Sequence, residues 1–310
     1  VRLNTAMDSS ASRPDGHLID LYDLGPDGFA AVLDAAGRWK GGPRPAPARE
    51  RPRVATLFTG AAFRTRLAFD TAIAELGGRR LDLPDGLTRR EPMGDAAAVL
   101  AHYADAVVVR TPDHAALAEL AAHSAVPVVN AMTSLGHPCE VVSEAFTLAE
   151  RFGAFRGLRI AFVGGDGNLC RSWLEAAAVA EVEVVQVCPP GREAPREVLD
   201  RAASGPGEAG VVHDLAAGLA GADAVYTDVW PEEARVPGEA REEFARFRID
   251  RAALDRAAGR AVLMHCMPVR RGDEVTAEAF ADPRCIALEA KGNLGPTHTA
   301  ILDRLLAGGG

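Results

Sequence analysis

Two arginines bracket a threonine in Phe63-Arg64-Thr65-Arg66, just after a strand-like run and at the start of a helix-like one. A helix N-terminus offers unpaired N–H groups and a partial positive charge. Arginine adds charge-assisted, often bidentate hydrogen bonds. The combination predicts a phosphate site; its plain alternative is a solvated first turn. Arg110-Thr111-Pro112 ends an all-apolar strand, where a cation is expensive unless an anion meets it. An arginine reaching solvent is the plain alternative there. Gly164-Gly165-Asp166-Gly167-Asn168 is a strand-to-helix glycine turn that narrowly misses the dinucleotide fingerprint. Cys170 stands where the third glycine belongs, and the next strand ends Val187-Cys188-Pro189 with no acidic residue. A nicotinamide cofactor is therefore not expected. His137-Pro138-Cys139-Glu140 opens a further helix. Asp228-Val229-Trp230 and His265-Cys266-Met267-Pro268 each end a strand. A lone cysteine is usually buried and inert, but a thiolate beside a carboxylate favours a cation, so Asp228 and Cys266 are candidates for holding an amine. Asp273-Glu274 and Glu232-Glu233 read as solvated surface charges.

These residues need elements to position them. Strand-like runs fall at 54–58, 106–110, 127–130, 158–163, 182–188, 224–227, 261–266 and 285–288. Helix-like stretches lie between them, at about 63–76, 94–103, 113–123, 138–153, 169–179, 195–203, 213–220, 240–258 and 297–307. Residues 17–40 form an earlier helical segment, followed by a Pro/Arg-rich linker at 41–52. Such alternation predicts an α/β protein with parallel sheets covered on both faces. The helix at 138–153 separates two series, which predicts two doubly wound domains, 1–140 and 141–310, joined by a helix. The last helix is expected to pack back on the first domain. Ligands of open α/β sheets sit beyond the carboxyl ends of strands, and the unusual residues gather at those ends.

The composition limits the function classes. The chain has 310 residues, 48% of them hydrophobic, enough for a real core. Acidic residues outnumber basic ones, 43 to 34, for a net charge of −9, so a uniformly basic nucleic-acid surface is not expected. No apolar run reaches the roughly 18–20 residues of a membrane span. The first seventeen residues carry no charged-then-apolar signal segment. Five scattered cysteines without a C-x-x-C pair predict neither a zinc site nor a disulfide framework, and a reducing cytoplasm is the expected compartment.

The motifs F-x-x-x-x-x-R-T-R, V-V-R-T-P, H-P-C-E, V-G-G-D-G-N, Y-T-D-V-W and H-C-M-P-x-x-R-G-D-E-V occur in that order. Together they resemble the aspartate/ornithine carbamoyltransferase family, from about His17 to the final helix. Cys266 in its H-C-x-P setting is similar to the ornithine branch. The resemblance implies two α/β domains, a homotrimer or a multiple of trimers, and no metal or organic cofactor. It implies attack of an amine on carbamoyl phosphate, by positioning and electrostatic stabilisation. By position, Arg64, Thr65 and Arg110 would hold phosphate, with Phe63 and Arg66 beside them. Arg110 and His137 would polarise the carbamoyl oxygen, and the backbone at Cys266-Met267 would meet the carbamoyl group. Asn168, Ser172 and Asp228 would hold the amine, next to Cys266. The segment Leu87-Thr88-Arg89-Arg90-Glu91 would reach a neighbouring subunit's site. The catalytic set is thus Arg110, His137, Asp228 and Cys266.

The chain also departs from the family pattern. The usual S-T-R-T-R is Ala62-Phe63-Arg64-Thr65-Arg66. H-P-x-Q has become H-P-C-E, putting Glu140 where a neutral amide meets the carbamoyl NH2. A family arginine falls on Asn293, within a residue of register. Pro231-Glu232-Glu233-Ala234-Arg235 replaces the S-M-G segment after D-V-W. Each lost charged hydrogen bond is worth about 1.5–3 kcal/mol, so weaker carbamoyl phosphate binding is expected. The first reading is a specialised carbamoyltransferase acting on an unusual amine in secondary metabolism. A second is changed chemistry on the same scaffold, amidino transfer or cleavage of a guanidino or ureido compound, with Glu140 facing the cation. A third is a non-catalytic metabolite-binding relative.

Overall fold

The computed structural model describes residues 16–43, 45–84 and 91–308. Two sheets, both wholly parallel, carry the fold. The first contains β1 (Arg53–Phe58), β2 (Arg79–Leu83), β3 (Ala106–Arg110) and β4 (Val128–Met132), in the order β2-β1-β3-β4. The second contains β5 (Arg159–Val163), β6 (Glu183–Val187), β7 (Glu208–Val212), β8 (Ala224–Thr227) and β9 (Val262–His265), in the order β7-β6-β5-β8-β9. Central strands are buried on both faces, which is why β3 reads as an unbroken apolar run up to Arg110.

In each sheet the chain leaves one strand toward one side and later returns on its other side. The order switches between β1 and β3, and again between β5 and β8. A crevice opens at such a point, outside the carboxyl ends. Arg64 follows β1 and Arg110 ends β3 at the first switch; Asn168 and Asp228 follow the strands at the second.

Four sequence expectations fail, each for a local reason. Strands β2, Arg-Arg-Leu-Asp-Leu, and β7, Glu-Ala-Gly-Val-Val, were not expected. Both are half-exposed sheet edges, where charge and glycine are tolerated and the apolar signal fades. The expected strand at 285–288 reduces to one bridge from Cys285 to Leu263, followed by the helix Ala287–Gly292. The expected helix at 240–258 is two, Glu239–Ala245 and Arg251–Leu254. Ile249 bridges to Val275 between them, and the Asp250 side chain caps the second by accepting from the Ala253 N–H.

The linking helix Pro138–Phe152 starts at His137 with proline in its first turn and stops at Gly153, whose φ of 85° is left-handed. It is buried nearly all round, including Glu140, Ser143, Glu144 and Thr147. The last helix, Leu294–Ala307, packs on the helices Gly25–Gly41 and Phe63–Glu75, and its buried His298 stacks on Phe69 at 4.2 Å. Phe29, Phe155, Trp173, Tyr226 and Phe162 form a line of ring contacts, each 5.3–6.5 Å, from the first helix to β8 and β5. Among the described residues no helix is long and apolar enough to cross a membrane.

Candidate active site

The helix Phe63–Glu75 begins at Ala62, whose φ of 39° is left-handed and whose side chain cannot cap. With no acidic residue in its first turn, its leading N–H groups remain open to an anion. Arg110 at the end of β3 donates from Nη1 to Thr65 Oγ1 at 2.9 Å. Arg64 Nη2 donates to the Met267 carbonyl at 3.1 Å, a bond that ties the first sheet's site to the second's. The Arg64 guanidinium also lies 4.7 Å from the centroid of Phe63, an otherwise 60% exposed ring. Burial pulls the Arg110 guanidinium below its ordinary range, opposed by Glu140 and assisted by Arg64. Two partly desolvated guanidiniums near an open helix terminus are suited to a phosphate dianion. Arg66 is used differently: it donates to the Phe58 carbonyl at 3.1 Å and to Asp82 at 3.3 Å, fastening β1 to β2.

His137 is buried, and its backbone N–H donates to Ser172 Oγ at 2.9 Å. Burial pushes its imidazole down to about 3, so the ring is neutral and can donate one N–H. Its Nε2 lies 3.7 Å from Glu140. Glu140 is not an open carboxylate. Lys291, from the helix Ala287–Gly292, is ion-paired to Glu140 and lies 3.0 Å from Glu144 Oε1. Glu144 also accepts from the Tyr226 hydroxyl at 3.0 Å. Burial works against the charged form of all three. Lys291 holds Glu140 below the ordinary range, whereas burial keeps Glu144 above it.

Asp228 follows β8 and Cys266 follows β9, and Cys266 Sγ donates to Asp228 Oδ1 at 2.9 Å. Burial, then Asp228, pushes the thiol well up, so Cys266 is a thiol and not the thiolate considered from sequence. Glu274 corrects another expectation. It is fully buried, its Oε1 meeting His265 Nε2 at 3.1 Å and accepting from the Arg270 N–H at 2.5 Å. The Met267 N–H donates to His265 Nδ1 at 2.8 Å, so His265 and Glu274 brace the turn carrying Cys266 and Met267. Donor atoms of Asp228, His265 and Cys266 lie within 4.8 Å of one another, as do those of Cys188, Glu193 and His213. Both His265 nitrogens and the Cys266 proton are already engaged, so the first set fits a braced turn better than a metal centre.

Arg64, Thr65, Arg110, His137, Glu140, Asp228, Cys266 and Met267 thus belong to one linked region across both switch points. Ser172 serves it indirectly, through the His137 backbone. The amide of Asn168 donates to the Thr133 carbonyl at 2.9 Å, at the rim. Asn293 is not in that region. It is buried, donating to Thr147 at 2.9 Å and Glu150 at 2.8 Å, two to three turns farther along the linking helix than Glu140. At about 1.5 Å per residue that is roughly 10–15 Å away. Arg89 and Arg90 lie outside the described residues. Lys291 and Glu144 were missed. The available signal was the i, i+4 spacing of Glu140 and Glu144 on a helix too apolar to be solvated, since buried carboxylates require a cation.

Two family models match the chain, one after the other. The carbamoyl-P binding domain of aspartate/ornithine carbamoyltransferase matches residues 16–150, and the Asp/Orn binding domain matches residues 156–305. An ornithine carbamoyltransferase of Acidothermus cellulolyticus is 38% identical over 304 residues, covering 95% of this chain and 97% of its own. That of Chromohalobacter salexigens is 36% identical over 302 residues, covering 94% and 98%. The crystal structure of ornithine carbamoyltransferase from Gloeobacter violaceus superposes with a TM-score of 0.85 at 32% identity, covering 95% of this chain and all of that one. With both domain models matched in order and the two-sheet architecture shared, the chain belongs to the aspartate/ornithine carbamoyltransferase family and is an enzyme of the carbamoyltransferase type.

Proposed function

We propose that this enzyme moves the carbamoyl group of carbamoyl phosphate to the amine of an amino acid or related compound other than ornithine, in a specialised pathway. The observation that carries the reading is the bridge from Arg64 to the Met267 carbonyl, with Arg110 on Thr65 beside it. It sets a dianion site against the turn that carries Cys266 and, through it, Asp228. Arg64, Arg110 and the helix N-terminus would hold the phosphoryl oxygens. The neutral His137 N–H and Arg110 would take the charge that develops on the carbamoyl oxygen. Asp228 would orient the amine, which must arrive unprotonated. Its nitrogen forms the new bond to the carbamoyl carbon, the carbon–oxygen bond to phosphate breaks, and the amine's proton leaves with phosphate.

The altered acceptor is supported by the stretch after Asp228. Trp230 is buried against Phe244 at 6.0 Å, with Glu232–Ala234 as a short 3-10 turn over them. Arg241 and Arg248 each lie 5.7 Å from the Trp230 ring, and Arg241 is held by Asp273 at 2.6 Å. That wall is built unlike an S-M-G segment. Amidino chemistry has less support, because Lys291 already occupies the carboxylate that a guanidinium would need. A homotrimer working in the cytoplasm completes the proposal. Exposed Leu67, Val99 and Tyr103, all in the first half of the chain, suit a subunit contact, and light scattering would read the mass.

Thermal unfolding with carbamoyl phosphate, phosphate and a panel of basic amino acids tests the reading, followed by assays for ureido product. A ligand at a hundred times its Kd adds about 2.7 kcal/mol. The expected result is a larger shift with carbamoyl phosphate than with phosphate, and a higher kcat/KM for some amine than for ornithine. Ornithine as the best acceptor would defeat the specialised reading. A carbamoyl phosphate shift no larger than that of phosphate, with no product from any amine, would defeat carbamoyl transfer itself.

A further inference from the structure

We propose that Lys291 is a positioning residue for the donor: paired with Glu140, it makes a carboxylate tolerable beside an anionic donor and reserves the subsite for an uncharged NH2 group. The inference rests on the carbamoyl-transfer reading. Glu140 is buried in the first turn of the linking helix, 3.7 Å from His137 and within the electrostatic reach of Arg110. Unpaired, it would repel an incoming phosphate dianion and attract amidinium or guanidinium groups. Lys291 reaches it from 151 residues away and is itself largely buried, so neither charge is dispersed by solvent. The second carboxylate, Glu144, shares the same lysine at 3.0 Å and accepts from the Tyr226 hydroxyl, and burial pushes its carboxyl up, toward the neutral form. A Glu–Lys pair therefore has the net charge of the neutral amide that its family position usually carries, with one carboxylate oxygen left as an acceptor for N–H.

A double-mutant comparison tests this. Wild type, Lys291→Met and Glu140→Gln/Lys291→Met are assayed for the KM of carbamoyl phosphate, for kcat, and for competitive inhibition by acetamidinium, a cationic probe of the subsite. Lys291→Met should raise the donor KM at least about tenfold, with a smaller change in kcat, and bind acetamidinium at least about tenfold more tightly than wild type. The double substitution should recover most of the KM and lose the acetamidinium binding. A purely structural lysine would not create affinity for a cation. A wild-type KM in Lys291→Met, no gain in acetamidinium affinity, or a double variant as poor as the single one each overturns the proposal. If Lys291→Met does not fold, the double variant, which buries no unpaired charge, decides: a tenfold or greater KM defect there overturns it. Wild type that responds to carbamoyl phosphate no better than to phosphate condemns the carbamoyl-transfer reading. Acetamidinium capture, followed by thermal shift, would still report on the pair.

Discussion

At the residue scale, the proposed phosphate site turns on Arg110. It is half-buried at the end of an apolar strand, and its guanidinium is partly desolvated beside Thr65 and Arg64. Arg110→Met should lose a charged hydrogen bond worth about 1.5–3 kcal/mol, roughly ten- to a hundredfold in phosphate affinity. Titration of thermal stability with phosphate reads that loss, and an unchanged affinity would remove Arg110 from the site. Cys266 gives a second residue-scale prediction. Its thiol is half-buried and donates to Asp228, and only a thiolate alkylates readily. Iodoacetamide should label it slowly at pH 7–8, and Asp228→Asn should speed labelling by removing the charge that disfavours the thiolate. Mass spectrometry of the Cys266 peptide decides, and equal rates would deny that Asp228 controls the thiol.

At the scale of elements, precision comes from close packing around the glycine turns. The helix Asn168–Val179 carries both Asn168 and Ser172, the latter holding the His137 backbone. The turn into β7 rests on that helix at Gly205, where an added Cβ would lie 2.2 Å from the Ala178 Cα and carbonyl oxygen. Those are backbone atoms, so the helix itself must move. Gly205→Ala should cost about 1–3 kcal/mol, seen as a lower urea midpoint with an unchanged slope. The KM for the amine should rise with it. A stable variant would mean that the turn yields instead of the helix.

For the whole molecule, the two halves are joined by more than the linking helix. Glu175, on the second-domain helix that carries Asn168, accepts from the Leu21 N–H at 3.1 Å. Burial, then Asp20, pushes its carboxyl up to about 8 from an ordinary 4.5. Between those values the unfolded chain has released a proton that the folded chain still holds. Stability must therefore fall as pH rises through about 4.5–8, on account of this group. Glu175→Gln keeps an acceptor for Leu21 and removes the ionisation. Its urea stability should lose less than wild type does between pH 5 and pH 8. The same pH slope in both proteins would show that Glu175 is ionised when folded.

The sequence by itself located the runs that became β1, β3, β4, β5, β6, β8 and β9, and it placed Arg64, Arg110, His137, Asp228 and Cys266 at strand or helix ends. Central parallel strands announce themselves as continuous apolar runs, and the crevice of such a sheet lies beyond their carboxyl ends. Local pattern was therefore enough for β1, β3, β5 and β8 and for the residues that follow them. Tertiary structure decided what depends on a distant partner. It made β2 and β7 into edges, buried Glu274 under His265, sent Asn293 to Thr147 and Glu150, and gave Glu140 its lysine from 151 residues away. No periodicity records such meetings. A buried charge declares that it needs a partner, and only the folded chain says which one it finds.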